Sequence, residues 1–419
     1  MKQPHVWNST DYRIVAAIMG LMGAFFWAIR GTGGYGGEMG GMLAGFGWAV
    51  LWYGFSQVGE GADRRPYGHP WLFMAITLGI AYGGFTGYGV YIAWVQGKFQ
   101  SNPNEMLHEV SAWTGYAMLF ICGLHWGGNT GCFMAWCAPS KPIHARDWTL
   151  RLASGFIGAV AAALFVRAFP QLFLPFYSEG IYANPGYKTC IRALDSLHTI
   201  APHVGVFLGF LSFEVLRGDR RAVYMILTMA LGFAIPFAVG GYWHTLNGSE
   251  LKLGWWKNWE MSIGLGGGLA FGIAFWLFNQ PAQTARLRLS PKSLAFFRSG
   301  LPFGVPVLVV VLGAIDGRCG LHDIEVPSNY IWGFLALGTA GMAALWFWRA
   351  RHEDSSPITH EYRVSTNALA IYIAVIVVAG WVVTIPKEWK LANVVLVGLY
   401  IVYLGVSAVL LRVFQKRIT

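Results

Sequence analysis

Apolar runs of about 20 residues, separated by short polar breaks, fill almost the whole of this chain, and that alternation leaves few folds open to it. Twelve runs stand out, near residues 12–30, 38–56, 70–96, 112–136, 150–172, 197–216, 222–244, 259–279, 300–316, 329–349, 367–385 and 391–412. Most are close to the length at which one helix, rising about 1.5 Å per residue, crosses a hydrocarbon layer about 30 Å thick. Only 12% of the residues are charged, against about a quarter in a soluble domain, so a water-facing surface cannot be assembled from them. The expected fold class is an all-α polytopic membrane protein with about twelve transmembrane helices and no separate soluble domain. The polar start, Met1 to Asp11, has no short apolar core followed by a small-residue cleavage site, so the first span is expected to act as its own insertion signal. The run at 300–316 is short and carries Pro302 and Pro306, which membrane helices tolerate where neighbours satisfy the freed carbonyl.

Charge gives the orientation. With the N-terminus inside, about two thirds of the 30 Lys and Arg residues fall on the two ends and the even-numbered junctions, among them Arg64, Arg65, Arg146, Arg220, Arg221, Arg288, Arg351 and Arg417. The odd junctions hold fewer, including Lys98, Lys188, Lys257 and Lys387. The positive-inside rule then puts both termini in the cytoplasm, in a plasma (inner) membrane. A net charge of +10 does not point to nucleic acid, because the basic residues mark membrane edges where they contact lipid headgroups. The lipid bilayer is the expected partner, together with a small-molecule solute; oligomeric state is not encoded in any pattern here.

Glycine, at 54 residues, is dense and patterned. Gly37, Gly41 and Gly45, then Gly79, Gly83 and Gly87, then Gly264 and Gly268 recur at every fourth position, a spacing that lets helix backbones approach closely. The cluster Arg30-Gly31-Thr32-Gly33-Gly34-Tyr35-Gly36-Gly37-Glu38 differs, since so many glycines oppose a continuous helix. It is expected to unwind and expose amides able to hold an anion or polar solute. It lacks the Gly-Lys-Ser/Thr ending of a phosphate-binding loop and the preceding strand of a dinucleotide fingerprint, so no cofactor is expected. Cys132, Cys137 and His125 do not have zinc-ligand spacing, and no metal is expected. Cys190 and Cys319 fall in outer connections, where an oxidising exterior permits a bridge.

Ionisable residues within the bilayer are costly and mark candidate sites. Arg30 and Glu38 stand at similar depth at either end of the glycine cluster. His125, with Trp126 and Asn129, lies mid-way along the fourth span; His244 and Glu260 lie nearer the outer boundary of the seventh and eighth. Arg30, Gly33, Gly34, Tyr35, Glu38, His125, Trp126, Asn129, His244 and Glu260 are thus the candidate solute-binding residues, and none is a recognised nucleophile or catalytic dyad. Deep Trp27, Trp48 and Trp276 serve packing or line a solute path, while Trp255, Trp256 and Trp259 suit an interfacial belt. A short repeat relates Glu38-Met39-Gly40-Gly41 to Glu260-Met261-Ser262-Ile263, each preceded by a glycine-interrupted aromatic patch. It suggests two six-helix halves, 1–217 and 218–419, with interrupted segments at corresponding places, a pointer to a transporter's binding site.

Between spans two and three the chain reads Gly59-Glu60-Gly61-Ala62-Asp63-Arg64-Arg65-Pro66-Tyr67-Gly68. With twelve spans, inside termini and apparent halves, this resembles the major facilitator superfamily, whose loop at this place runs Gly-x-x-x-Asp-Arg-x-Gly-Arg-Arg. Gly59, Asp63 and Arg64 match; the later Gly is displaced and the final basic pair is absent. The resemblance implies a secondary, ion-coupled transporter for a small polar or anionic solute. The second function class is a membrane-embedded transferase acting on a lipid-linked or acyl donor, for which His125, His244, Glu38 and Glu260 would supply acid–base groups.

Overall fold

The computed structural model describes residues 5–32, 37–69, 71–87, 89–249, 253–282, 308, 312, 327–350 and 390–418. The described chain is helical apart from one short hairpin. Its elements are α1 (Ser9–Thr32), α2 (Gly37–Ser56), α3 (Trp71–Gly83), α4 (Ile92–Val95), β1 (Lys98–Asn102), β2 (Glu105–Glu109), α5 (Ala112–Cys137), α6 (Ala145–Ala168), α7 (Lys188–Arg217), α8 (Arg220–Gly240), α9 (Trp255–Phe278), α10 (Ser328–Ala350) and α11 (Leu391–Ile418). Six described helices are long and apolar enough to cross a membrane: those at Ser9–Arg30, Ala145–Ala168, Lys188–Arg217, Arg220–Leu246, Trp255–Phe278 and Leu391–Ile418. Large apolar side chains on α6, such as Phe156, Ile157, Leu164 and Phe165, face outward, which is costly in water and favourable in lipid. This is the architecture of a helical membrane protein. The expected spans at 300–316 and 367–385 lie outside the described residues, except for Leu308 and Leu312.

One expected span is not a single helix. The run 70–96 forms α3 and then breaks, resuming as a 3₁₀ turn at Gly89–Tyr91 and the four-residue α4. Gly83, Gly84, Gly87 and Gly89 crowd the break, and each glycine weakens the helix by about 1 kcal/mol relative to alanine. The Thr86 hydroxyl holds the broken end by donating to Gly83 O at 2.9 Å. Gly87 therefore lies beyond the helix and not on its packing face.

Small residues decide how the helices pair. Apolar contact gives no net drive between helices in lipid, so backbone proximity has to supply the dispersion energy. Along α1 and α9, Gly264 lies against Gly23 O and Gly268 against Met19 O, so closely that a β-carbon at either place would overlap the carbonyl. Gly123, Gly127 and Gly131 seat α5 on α8; Gly158, Gly205 and Gly209 seat α6 on α7; Gly41 and Gly45 seat α2 on α3. Gly79 and Gly83 make room on α3 for Thr130 and Trp126 of α5. The α1–α9 and α5–α8 pairs, which are the most extensive, join residues on opposite sides of the expected 217/218 division.

Both ends of the described chain meet at one face of the bundle, where Arg417 Nε donates to Asp11 Oδ1 at 2.7 Å. The same face carries Arg65, which donates to Asn279 O at 2.7 Å and stacks on Trp7 at 4.3 Å. Of the loop Gly59–Gly68 it is thus Arg65 that is buried, not Arg64, while Gly59 (φ 87°) and Gly61 (φ 71°) bend the chain. The hairpin β1–β2 lies at the opposite face, where the buried Cys190 thiol donates to Gln100 O at 3.4 Å. Cys190 is a free thiol, and Cys319 lies outside the described residues.

The turn between α7 and α8 locks the terminal face. Gly218 (φ 69°) ends α7, and Asp219 caps α8 by accepting from Ala222 N, while it also accepts from Ser140 N at 2.9 Å and Ser140 Oγ at 2.5 Å. Burial pushes the Asp219 carboxyl up, but these donors and Arg217 outweigh it and hold the carboxyl below the usual carboxylate range. The folded state therefore binds a proton at Asp219 less readily than the unfolded state. Its contribution is complete above about pH 4 and is lost as pH falls through the depressed folded value. Asp219→Ala is expected to lower stability at neutral pH by about 1–2 kcal/mol and to reduce the loss of stability between pH 4 and pH 2, both read from melting curves in detergent.

Candidate functional site

Arg30 ends the apolar part of α1, and the glycine seam that draws α1 onto α9 carries it inward, leaving it 2% exposed. Its guanidinium lies over Trp27 at 4.1 Å and near Trp126 at 5.8 Å. Trp126 reaches this place because Gly83 on α3 leaves room for its ring, and the Trp27 and Trp126 rings meet edge-on at 5.0 Å. Across the seam, the first turn of α9 brings Lys257, whose ammonium donates to Glu260 Oε2 at 2.6 Å and reaches Ala28 O on α1 at 3.4 Å. Arg30 and Lys257 are close enough to repel one another. Glu260, 3% exposed, also accepts from Trp256 Nε1 at 3.1 Å.

His244 completes this wall. It sits on the 3₁₀ segment Gly241–Leu246 that follows α8, edge-on to Trp259 at 4.9 Å and Trp256 at 5.6 Å. Its Nε2 is buried with no hydrogen-bond partner. Among the described side chains, the cluster thus gathers Arg30, Lys257 and Glu260 around four indole rings. Trp256 is 41% exposed, so this edge of the cluster reaches the molecular surface. Cations over indole faces keep their attraction where water is excluded, and an aromatic wall with few polar anchors suits a small organic solute.

A second polar cluster lies further along α5, starting at the residue before Trp126. His125 Nε2 meets Thr86 Oγ1 at 3.1 Å. Asn129 Nδ2 donates to His125 O at 3.0 Å and to His203 O on α7 at 3.2 Å. The His203 ring lies tilted against Tyr82 of α3 with ring centroids 4.7 Å apart, and 5.8 Å from the His125 ring. His125 Nδ1 and Asn129 Oδ1 are buried with no partner; each such acceptor costs about 1–3 kcal/mol.

Compared with protein-family models, with curated proteins and with solved structures, the chain matches none.

Of the expected site residues, Arg30, Trp126, His244 and Glu260 come together in the first cluster and His125 and Asn129 in the second. Gly33, Gly34 and Tyr35 lie outside the described residues; Glu38 is in α2, with its side chain outside them. Sequence reasoning assigned Lys257 to outer-face charge, Trp256 to the interfacial belt and gave Thr86 and His203 no role. Lys257 and Glu260 could have been joined by their i, i+3 spacing, and His203, following Pro202 within an apolar helix, carried the same signal as His125. No group of three His, Cys, Asp or Glu side chains gathers as a metal site among the described residues.

Proposed function

We propose that this chain is a secondary, ion-coupled membrane transporter for a small anionic or polar solute, with the Arg30–Lys257–Glu260 cluster as its solute site. The observation that carries the reading is the meeting of two cations, buried Arg30 of α1 and half-buried Lys257 of α9, among indole rings, with Glu260 paired to Lys257. Buried charge is expensive, and a charged group held within the bilayer is by default a candidate ligand site. The full arrangement in this reading is twelve spans of the major facilitator type, in two halves, in the plasma membrane with both ends cytoplasmic. The meeting of Asp11 with Arg417 supports it, because both ends on one face require an even number of crossings.

The transferase reading is favoured by one feature, an apolar cleft of about 770 Å³ between α5, α6 and α7, lined by residues such as Ile121, Phe165 and Leu208. It has room for an acyl chain. None of its lining residues is titratable, so the acid–base groups that group transfer needs are not on it, and transport remains the better account.

The test is stabilisation of the purified protein in lipid nanodiscs by small carboxylates, sulfonates and phosphate esters, with neutral polyols as controls. At a hundredfold excess over its Kd, a true ligand adds about 2.7 kcal/mol of stability. The expected result is stabilisation by at least one anion that Arg30→Lys abolishes, since an ammonium cannot reproduce the planar guanidinium over Trp27. Equal response of the wild type and Arg30→Lys to every anion overturns the site.

A further inference from the structure

Hydrogen-bond direction around His125 is set by its neighbours. Thr86 has one hydroxyl proton, and it goes to Gly83 O at 2.9 Å. The contact of Thr86 Oγ1 with His125 Nε2 at 3.1 Å therefore needs the proton on Nε2. His125 Nδ1 is left as a bare acceptor in the middle of the fourth span, with no partner and with the residue fully buried. Asn129, one turn on, is oriented just as firmly, because both hydrogens of its amide are taken by the carbonyls of His125 and His203. Its Oδ1 is a second bare, buried acceptor. Two acceptors on one helix face lack a donor, and the smallest addition that supplies one is a proton on His125 Nδ1.

His203 offers the way in. Its Nδ1 lies 2.8 Å from Thr199 O, a carbonyl that can only accept, so Nδ1 carries its proton and Nε2 is open. The residue is half-buried, and its ring centre is 5.8 Å from that of His125, within reach of a single bridging water.

We propose that His125, served by His203, is the site at which this protein binds the proton that drives solute movement; the inference rests on the transport reading above. A proton taken up at His203 Nε2 passes to His125 Nδ1. His203 returns to its Nδ1–H form, and His125, now an imidazolium, donates from Nε2 to Thr86 and from Nδ1 toward Asn129 Oδ1. No other bond changes. Among the described residues, Tyr82 of α3 faces His203, and α8 presents Met229, Phe233 and Phe237 to α5, none of these three titratable. Arg30 of α1 lies 5.8 Å from the ring of Trp126, the residue next to His125. An anion bound at Arg30 and Lys257 offsets the repulsion that a second cation at His125 would meet. By reciprocity the proton favours the anion, so the two are expected to travel together.

The probe is the proton itself, followed by nitrogen NMR of protein labelled with ¹⁵N-histidine in lipid nanodiscs, the His125 signals being assigned by their loss in His125→Gln. His125 is expected in the Nε2–H form at pH 9 and to become imidazolium as pH falls to 5. Asn129→Leu, which removes the acceptor, is expected to lower the titration midpoint by about one pH unit, a tenfold loss of proton affinity. Should Asn129→Leu not fold, Thr86→Val serves instead: it removes the other acceptor and is expected to shift the midpoint the same way. A His125 that stays neutral from pH 9 to 5, or a midpoint that neither variant moves, overturns the proton site. The titration needs no solute, so it can fail while anion stabilisation succeeds, and the reverse outcome overturns the transport reading alone.

Discussion

Glu260→Gln is expected to lower stability by about 3 kcal/mol while anion binding persists at the freed Lys257 ammonium, and adding Lys257→Met to it should restore stability and abolish binding. Breaking one partner of a buried ion pair leaves the other charge desolvated and uncompensated, at a cost of about 3–5 kcal/mol. The low end applies because the Lys257 side chain keeps 19% of its exposure, against 4% for Glu260. Removing both charges removes the desolvation together with the attraction, and a methionine fills the space of the lysine stem. Unfolding midpoints and anion-induced stabilisation, measured on the single and double variants, separate the two effects. Anion binding that survives in the double variant means that the pair only braces α9 against α1, and the site assignment falls.

Gly264→Leu should be among the most damaging apolar substitutions at the described residues. Ordinary overpacking costs about 1–3 kcal/mol because neighbouring side chains can shift. Here the first added atom overlaps the Gly23 carbonyl oxygen, and Trp27 closes the space beside it. Backbone cannot move aside without separating α1 from α9, so a loss above that range is expected, seen as aggregation on size exclusion or a melting point lowered by about 10 °C or more. Gly398→Ala on α11 is the control, as nothing lies within 4 Å of a β-carbon there; surface changes of this kind stay within about 0.5 kcal/mol. A Gly264→Leu protein as stable as the control would show that the seam is not what holds these helices together. Because that seam also sets Arg30 beside Lys257, a milder Gly264→Ala should weaken anion binding before it unfolds the protein.

Local patterns in the sequence determined much of this. Hydropathy depends only on neighbours along the chain, and it placed helices over most of the described spans. Glycine spacing predicted close backbone contact, and Gly41, Gly45, Gly264 and Gly268 make it. The cost of burying polar groups marked Arg30, His125, Asn129, His244 and Glu260 in advance, since that cost needs no knowledge of neighbours. Which of these meet was decided by tertiary structure alone. Lys257 reads as an ordinary edge charge until α9 crosses α1 and its ammonium reaches Ala28 O. His203 and His125 are far apart in the chain and adjoin only because α7 packs beside α5. The break after Gly83 was masked because hydropathy stays high through 84–96; Gly83, Gly84, Gly87 and Gly89 weaken the helix there, and the Thr86 cap and the place taken by Trp126 fix where it stops. Similarly, Arg64 and Arg65 are equivalent as sequence, and the burial of one follows from where the end of α9 delivers Asn279. Helix formation in lipid is a property of each segment, whereas a site is a property of crossings between segments, and those are set by contacts that no local window contains.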